Sequence, residues 1–537
     1  MSDGTGARTT DPPTPDLVVV GGGPTGMYAA ALAAHRGLNV LLVEADDRLG
    51  GSASRGDGLM WLPEDSEEAH EYVASVGPSR PPLAAAVVQH GASVRQTLAD
   101  CDVRLQQVPE PDAHDLPGSG RGRIWEPSAT DARRLKEHRG ELRIVETSIT
   151  YTDARRMVVS LRHPVFLART ARVLGGRALL SRVAGRQPTV GGSALVVGLM
   201  SALLKARVPV WRSSPLVGLV GGESAGVIVR HDEEDVLIRP RLGVLLTAGG
   251  FSFDPERRLA HLSSHADPTV SLSAPLNNGS ALTAALALGA AEGGYGDAEW
   301  RPVIVTVDGE RHPVDLVRCL PFSILVDQTG NRFCDEAAPG VEIGRAMLNR
   351  ARETRDSTAF LVMDDRHRKR YPLGPWPPRL LPNRAVANGE LQRADTVIAL
   401  AGELSVDKAG LVGQVTAFNG YASKGADPDF GRGSSRADRA KGQPLHRKNP
   451  SLGALERPPY WGVLVHAADV STRGGLVTDS AGRVLDRNGG PVPGLFAAGA
   501  IAALPWGERE PAPGAGCGAS LVAAHASVLT MLTSRDA

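Results

Sequence analysis

Three glycines spaced Gly21-x-Gly23-x-x-Gly26, and a carboxylate at Glu44, are the residues of this 537-residue chain best suited to chemistry. The first glycine permits a tight turn. The second lets backbone N–H groups approach a pyrophosphate, and the third lets a helix pack closely on a strand. A helix N-terminus behind such a turn favours the phosphate charge. Glu44 follows Gly26 by 18 residues and can accept hydrogen bonds from a ribose diol. The set reads as a dinucleotide site. A bare glycine turn is the competing reading, and it loses ground once a strand and a helix flank the motif.

Both flanks are present. Asp16 to Val20 is a continuous apolar run, as expected of a strand buried on both faces of a parallel sheet. Met27 to Arg36 is Ala-rich and predicts a helix, and Leu38 to Val43 is a second apolar strand ending at Glu44. Together they make a βαβ unit of about 30 residues. Three later features favour FAD over NAD: the pair Gly50-Gly51 with Ser52 past the ribose acid, a Thr247-Ala248-Gly249-Gly250 turn after an apolar strand, and Val492 to Gly499. The expected cofactor residues are Gly21, Gly23, Gly26, Glu44, Gly51, Ser52, Gly58, Ala248, Gly249, Gly499, Cys517 and Gly518.

The chain resembles the 3-ketosteroid dehydrogenase and fumarate reductase flavoprotein family over nearly its whole length after residue 16. The likeness is carried by Gly50 to Pro63, Thr247 to Phe251, Pro321 to Val326 and Asn331 to Glu336. It continues through Asn419, Tyr421, Asp427 to Arg432, Ser471 to Leu476 and Gly514-Ala515-Gly516. Trp61, Arg370-Tyr371-Pro372 and Thr472-x-Gly474-Gly475 lean toward the ketosteroid branch. The resemblance implies an α/β fold: a two-dinucleotide-binding, Rossmann-like FAD domain with an inserted α+β catalytic domain. The expected boundaries are a disordered tail at 1–15, FAD-binding segments at 16–255 and 441–537, and a substrate domain at 256–440. The resemblance also implies hydride transfer between flavin N5 and a C–C bond next to a carbonyl. Some relatives attach the flavin to a His in the loop after the ribose acid. Gly50 to Gly58 holds no His, so FAD is expected to be noncovalent.

The chain departs from both branches where protons are handled. Ketosteroid dehydrogenases use tyrosines at three places, which fall here at Ala113/His114, Gly340 and Ala512. The fumarate reductase arginines fall at Gly340 and Ala512. Gly516 is retained, and its N–H can donate to a substrate carbonyl oxygen. Cys517 and Gly518 are read as preceding the last helix, whose N-terminus would favour negative charge at flavin N1 and O2. His114 stands as the remaining acid/base candidate, against the reading of an exposed loop histidine. Glu508 and Glu510 read as surface charge, and Arg345 as a salt-bridge partner. Cys517 as a redox thiol has no resolving partner near in sequence.

Bulk properties narrow the class. Lys+Arg and Asp+Glu are 59 each, which gives no electrostatic case for nucleic acid. The four cysteines show no CxxC or metal spacing, so no metal is expected and a reducing, cytoplasmic setting fits. The longest apolar stretch, Ser193 to Leu204, is too short to span a bilayer and predicts a buried helix. Leu320, Pro321, Phe322, Val341 and Met347 suggest a small apolar substrate, cyclic or polycyclic, with a separate electron acceptor or donor. The expected reaction is α,β-dehydrogenation of a cyclic ketone. Reduction of an activated alkene, and a flavin-binding protein without catalysis, are the alternatives.

Overall fold

The computed structural model describes residues 14–145, 149–160, 188–222, 224–380 and 382–536. Most of the expected tail, residues 1–13, lies outside them.

The first apolar run forms the strand Leu17–Val20, at most 4% exposed. It pairs in parallel with Val40–Val43 on one side and Gly243–Leu246 on the other. Pro491–Ala497 adds beyond Gly243–Leu246, again in parallel, and Val210–Trp211 adds beyond Val40–Val43. The antiparallel edge strand Arg483–Leu485 completes six strands. The C-terminal part of the chain therefore closes the sheet that the N-terminal part begins. Helices Pro24–His35, Gly191–Ala206 and Ala515–Asp536 pack on this sheet or on one another. Gly191–Ala206 is buried over most of its length, as its apolar sequence predicts.

A second, antiparallel sheet is built from Arg311–Pro313, Ala298–Val305, Tyr460–Thr472, Ala359–Met363 and Ser323–Val326. Gln392–Ala394 also pairs with Tyr460–Thr472. The helix Gly340–Thr354 packs on Ala298–Val305. The central strand of this sheet comes from residues 460–472, so sheet membership changes after Thr472 and not at 441. Thirteen residues of paired strand outweigh the turn-rich character that suggested the earlier return.

The last helix also begins earlier than its sequence suggests. It starts at Ala515, because Gly518 N–H already bonds to Gly514 O at 2.9 Å. Residues 516–518 are thus its first turn. Ala515 to Arg535 is long and apolar enough to cross a membrane by composition, but most of it is buried within the protein. It packs against the helix Pro81–Asp100 and against Pro24–His35.

Candidate functional site

A cavity of about 610 Å³ runs from the glycine turn of the first sheet to the wall of the second. At one end it is lined by Gly21, Gly23, Glu44, Gly51, Ser52 and Gly58. Gly21 has φ +112°, open to glycine alone at little cost. A Cβ on Gly26 would stand 1.9 Å from Gly21 O, so this glycine serves packing and does not line the cavity. A Cβ on Gly23 would meet nothing within 4 Å. That open cradle, at the N-cap of the helix Pro24–His35, fits a pyrophosphate.

Glu44 is fixed by two backbone donors. Gly22 N–H donates to Oε2 at 2.5 Å and Asp46 N–H to Oε1 at 2.8 Å. Burial raises its carboxyl above the usual range, and each oxygen keeps a lone pair for a ribose hydroxyl. Ser52 Oγ accepts from Ala274 N–H at 2.8 Å and from Asn277 Nδ2 at 3.0 Å. It ties the glycine loop to the segment beside Ala248 and Gly249. Both of those residues, with Gly499, Gly516 and Cys517, line the cavity. Gly518 does not: a Cβ there would lie 2.2 Å from Trp61 O, so its role is packing. Burial pushes the Cys517 thiol up to about 12, which keeps it from acting as a thiolate. These residues fit FAD laid from the Gly23 cradle toward the first turn of the last helix.

The three places of the missing tyrosines have different fates. Gly340 lines the cavity, and a Cβ on it would lie 3.0 Å from Asp315 Oδ1. Asp315 is bound by Arg301 Nε at 2.5 Å and by Arg318 Nη2 at 3.1 Å. Burial alone would raise its carboxyl, but these two guanidinium groups bring it below the ordinary value. Ala512 is fully buried and faces away from the cavity. His114, expected to face substrate, is likewise not among the residues that line the cavity. Its Nε2 lies 3.1 Å from Glu342 Oε1. The cause is an anchored loop: Ala113 N–H donates to Pro511 O at 2.8 Å, and His114 N–H to Tyr72 Oη at 3.3 Å. Asp112 adds bonds from Trp61 Nε1, Gly120 N–H and Arg123 Nη1.

Glu510 reverses the surface-charge reading. It is 7% exposed and lines the cavity, whereas Glu508 is exposed. Arg345 does form the expected ion pair, with Asp297. Further charged groups line the wall: Asp57, Glu299, Arg301, Arg318 and Lys441. Sequence reasoning missed them. Glu299 and Arg301 alternate along an otherwise apolar strand, Ala298–Val305, and that period-2 pattern was the available signal. Tyr151 also lines the wall, its hydroxyl donating to Glu110 at 3.1 Å. Of the apolar residues expected to touch substrate, Val341 lines the cavity, while Leu320, Phe322 and Met347 are buried in the core. The wall is therefore mixed in polarity.

A family model described as an FAD binding domain matches residues 16–517. A 3-oxosteroid 1-dehydrogenase of Mycobacterium tuberculosis is 32% identical, over 96% of this chain and 97% of that protein. A 4-oxocyclohex-2-ene-1-carboxylate 5-dehydrogenase of Sinomonas cyclohexanicum is 31% identical, over 94% and 92%. The crystal structure of 3-ketosteroid Δ1-dehydrogenase from Sterolibacterium denitrificans, in complex with 1,4-androstadiene-3,17-dione, superposes with a TM-score of 0.90. That protein shares 31% identity, with 97% of this chain and 100% of the other covered.

Proposed function

The chain belongs to the FAD-binding family that includes the 3-oxosteroid 1-dehydrogenases, and on that premise we propose that it desaturates a cyclic ketone next to its carbonyl. That it is an FAD-dependent oxidoreductase acting on CH–CH groups follows from the family and from the dehydrogenases it matches. The substrate is the part we propose. The observation that carries the reading is the first turn of the helix Ala515–Asp536. Gly516 and Cys517 lie where helix N–H groups have no intrahelical acceptor, and both face the cavity that begins at the Gly23 cradle.

FAD, when bound, supplies the two-electron acceptor. The protein's own groups position and polarise the substrate. Gly516 N–H donates to the ketone oxygen, and its missing side chain lets a ring approach. Removal of the α-proton falls to the carboxylates of the same cavity, Asp57, Glu299 and Asp315. The charged wall favours a ring ketone that also carries a polar or anionic substituent. Lys441 Nζ donates to Ala337 O at 3.0 Å and keeps two donors for such a group. The same cations support a second reading, reduction of an activated alkene bearing a carboxylate. We further propose FAD-binding segments interrupted by a substrate unit, and a cytoplasmic location consistent with four free cysteines.

Anaerobic mixing of the holoenzyme with ring ketones tests this. Flavin bleaching by a cyclohexanone carboxylate, faster than by a simple 4-en-3-one steroid, is the expected result. General acid–base help is worth roughly 100- to 10,000-fold per step, and the tyrosines that give it to steroids are replaced here. Fast turnover of the plain steroid would overturn the substrate assignment. Rapid reoxidation of reduced flavin by an enone acid, with no bleaching by any ketone, would favour the second reading.

A further inference from the structure

Glu510 is the one acidic side chain of the cavity wall that is more than nine-tenths buried and makes no hydrogen bond or ion pair among the described residues. The other acids of the wall near the last helix are spoken for. Glu299 accepts from Arg473 Nε at 2.6 Å. Asp315 and Asp57 share Arg301. Burying a carboxyl without a hydrogen-bond partner costs stability, so one that lines a cavity without such a bond calls for a ligand as its partner.

Its place in the chain sharpens the point. The turn 510–514 leads into the last helix. It hides Ala512 in the core and presents Glu510, Pro513 and Gly514 to the cavity. Gly516, two residues on from Gly514, lines the same wall. The carboxyl carbon of Glu299 would lie 3.3 Å from a Cβ on Gly516. Glu299 thus lies beside Gly516, and its charge acts on Glu510 in the same wall.

We propose that Glu510 is a catalytic residue that, as a neutral carboxylic acid, donates a hydrogen bond to the substrate's carbonyl oxygen beside the Gly516 N–H. This rests on the proposed reading that a ketone occupies the cavity, and it assigns the polarising role that the buried Ala512 cannot fill. Two donors on one oxygen stabilise the negative charge that develops there as the α-proton leaves.

The surroundings keep the acid protonated. Four charged groups act on Glu510 from four elements: Glu299, Arg473, Glu342 and Lys441. Burial, and then the Glu299 charge, hold its carboxyl well above the usual carboxylate range, while Arg473 and Lys441 oppose them only in part. Arg473 bonds Glu299, Asp297 and Gly507 O through Nε and Nη1, while its buried Nη2 has no hydrogen-bond partner among the described residues. With Glu299 bound by Arg473 at 2.6 Å, burial and the Glu299 charge favour the protonated form of Glu510. Raising the pH through the raised carboxyl value ionises Glu510, removes the donor and lowers the rate, so activity is present below that value and lost above it.

Infrared difference spectroscopy of the FAD-loaded protein, wild type against Glu510→Gln, tests the protonation directly. A protonated-carboxyl stretch present in the wild type, absent in the variant, and moved to lower frequency by 2-cyclohexen-1-one is expected. A wild-type spectrum without that band, or a band that the ketone leaves in place, overturns the proposal whatever the substrate proves to be. With a ketone that bleaches the flavin, Glu510→Ala should slow bleaching by about 100- to 1000-fold, the loss for one such donor. Glu510→Gln, which keeps an N–H donor, should retain most of the rate and lose the alkaline fall. Equal losses in the two variants would mean that Glu510 acts as a base, which also overturns the proposal. Failure of every ketone to bleach the wild-type flavin counts against the proposed reaction, and the band still decides the state of Glu510.

Discussion

Arg473 Nε and Glu299 Oε1 are 2.6 Å apart, and Arg473 Nη1 reaches on to Gly507 O at 3.0 Å. The guanidinium thereby ties a carboxylate of the second sheet to the segment that leads into the last helix, and that carboxylate lies beside Gly516. The Glu299 carboxyl stands where Gly516 faces the cavity.

That junction leaves little room for a side chain, and Glu299 would have to shift by a few tenths of an ångström. Gly516→Ala would put a Cβ 3.3 Å from Glu299 Cδ and 3.4 Å from its Oε2. Substrate would be displaced from the helix N-terminus. A misplacement of about 1 Å costs on the order of 100-fold in rate, and a loss of that order in flavin bleaching is expected, with FAD content unchanged. Wild-type bleaching in this variant would show that the carbonyl binds elsewhere.

Glu44→Ala should weaken FAD binding by about tenfold or more, since a charged acceptor contributes roughly 1.5–3 kcal/mol. Titration of the apoprotein with FAD measures it. In the wild type, FAD should leave on acid or heat denaturation, because Gly50 to Gly58 offers no histidine for attachment. Flavin that stays with the denatured chain would refute this.

Arg332, Glu336, Asp427 and Arg432 form an ion cluster inside the second unit, each of the three closest pairs with side chains fully buried. Arg332 bonds Glu336 at 2.7 and 2.8 Å and Asp427 at 2.8 and 3.1 Å. Removing one member of such a cluster strands the others, at a cost of about 3–5 kcal/mol. Arg332→Ala should lose that much stability in urea unfolding of the holoenzyme, and a loss under about 1 kcal/mol would contradict the assignment.

The same cluster sets an acid limit. Burial alone would raise the Glu336 carboxyl, but Arg332 and Arg432 bring it down to about 2. A carboxyl depressed in the folded state stabilises above its unfolded value of about 4.3. That contribution is lost as pH falls through the folded value. Unfolding free energy should therefore decline between about pH 5 and pH 2, and less steeply in Arg332→Ala.

His114→Ala should leave flavin bleaching nearly unchanged, because the imidazole meets Glu342 and not the cavity. Stopped-flow bleaching across neutral pH is the measurement. A clear rate loss with FAD content intact would restore His114 to the site.

The sequence by itself determined the dinucleotide half. Gly21, Gly23 and Gly26 act through contacts within one strand–turn–helix unit, and Glu44 closes the next strand of that unit. Steric demands over so short a span are written in the local residue types. The buried helix 191–206 was legible for the same reason, since its apolar character is continuous. Tertiary structure alone decided the reacting end. Glu299, Asp315, Lys441 and Glu510 come from separate segments of the chain, and neither spacing nor periodicity relates them. Glu510 looked like surface charge in a polar, proline-containing turn. It is buried because the second sheet, completed by Tyr460–Thr472, packs Glu299 and Arg473 against that turn. His114 fell the other way, since its loop is tied to Tyr72 and Pro511 by bonds that no local pattern encodes. Local sterics can be read one segment at a time, whereas a carboxyl's exposure and charge depend on every element that folds against it.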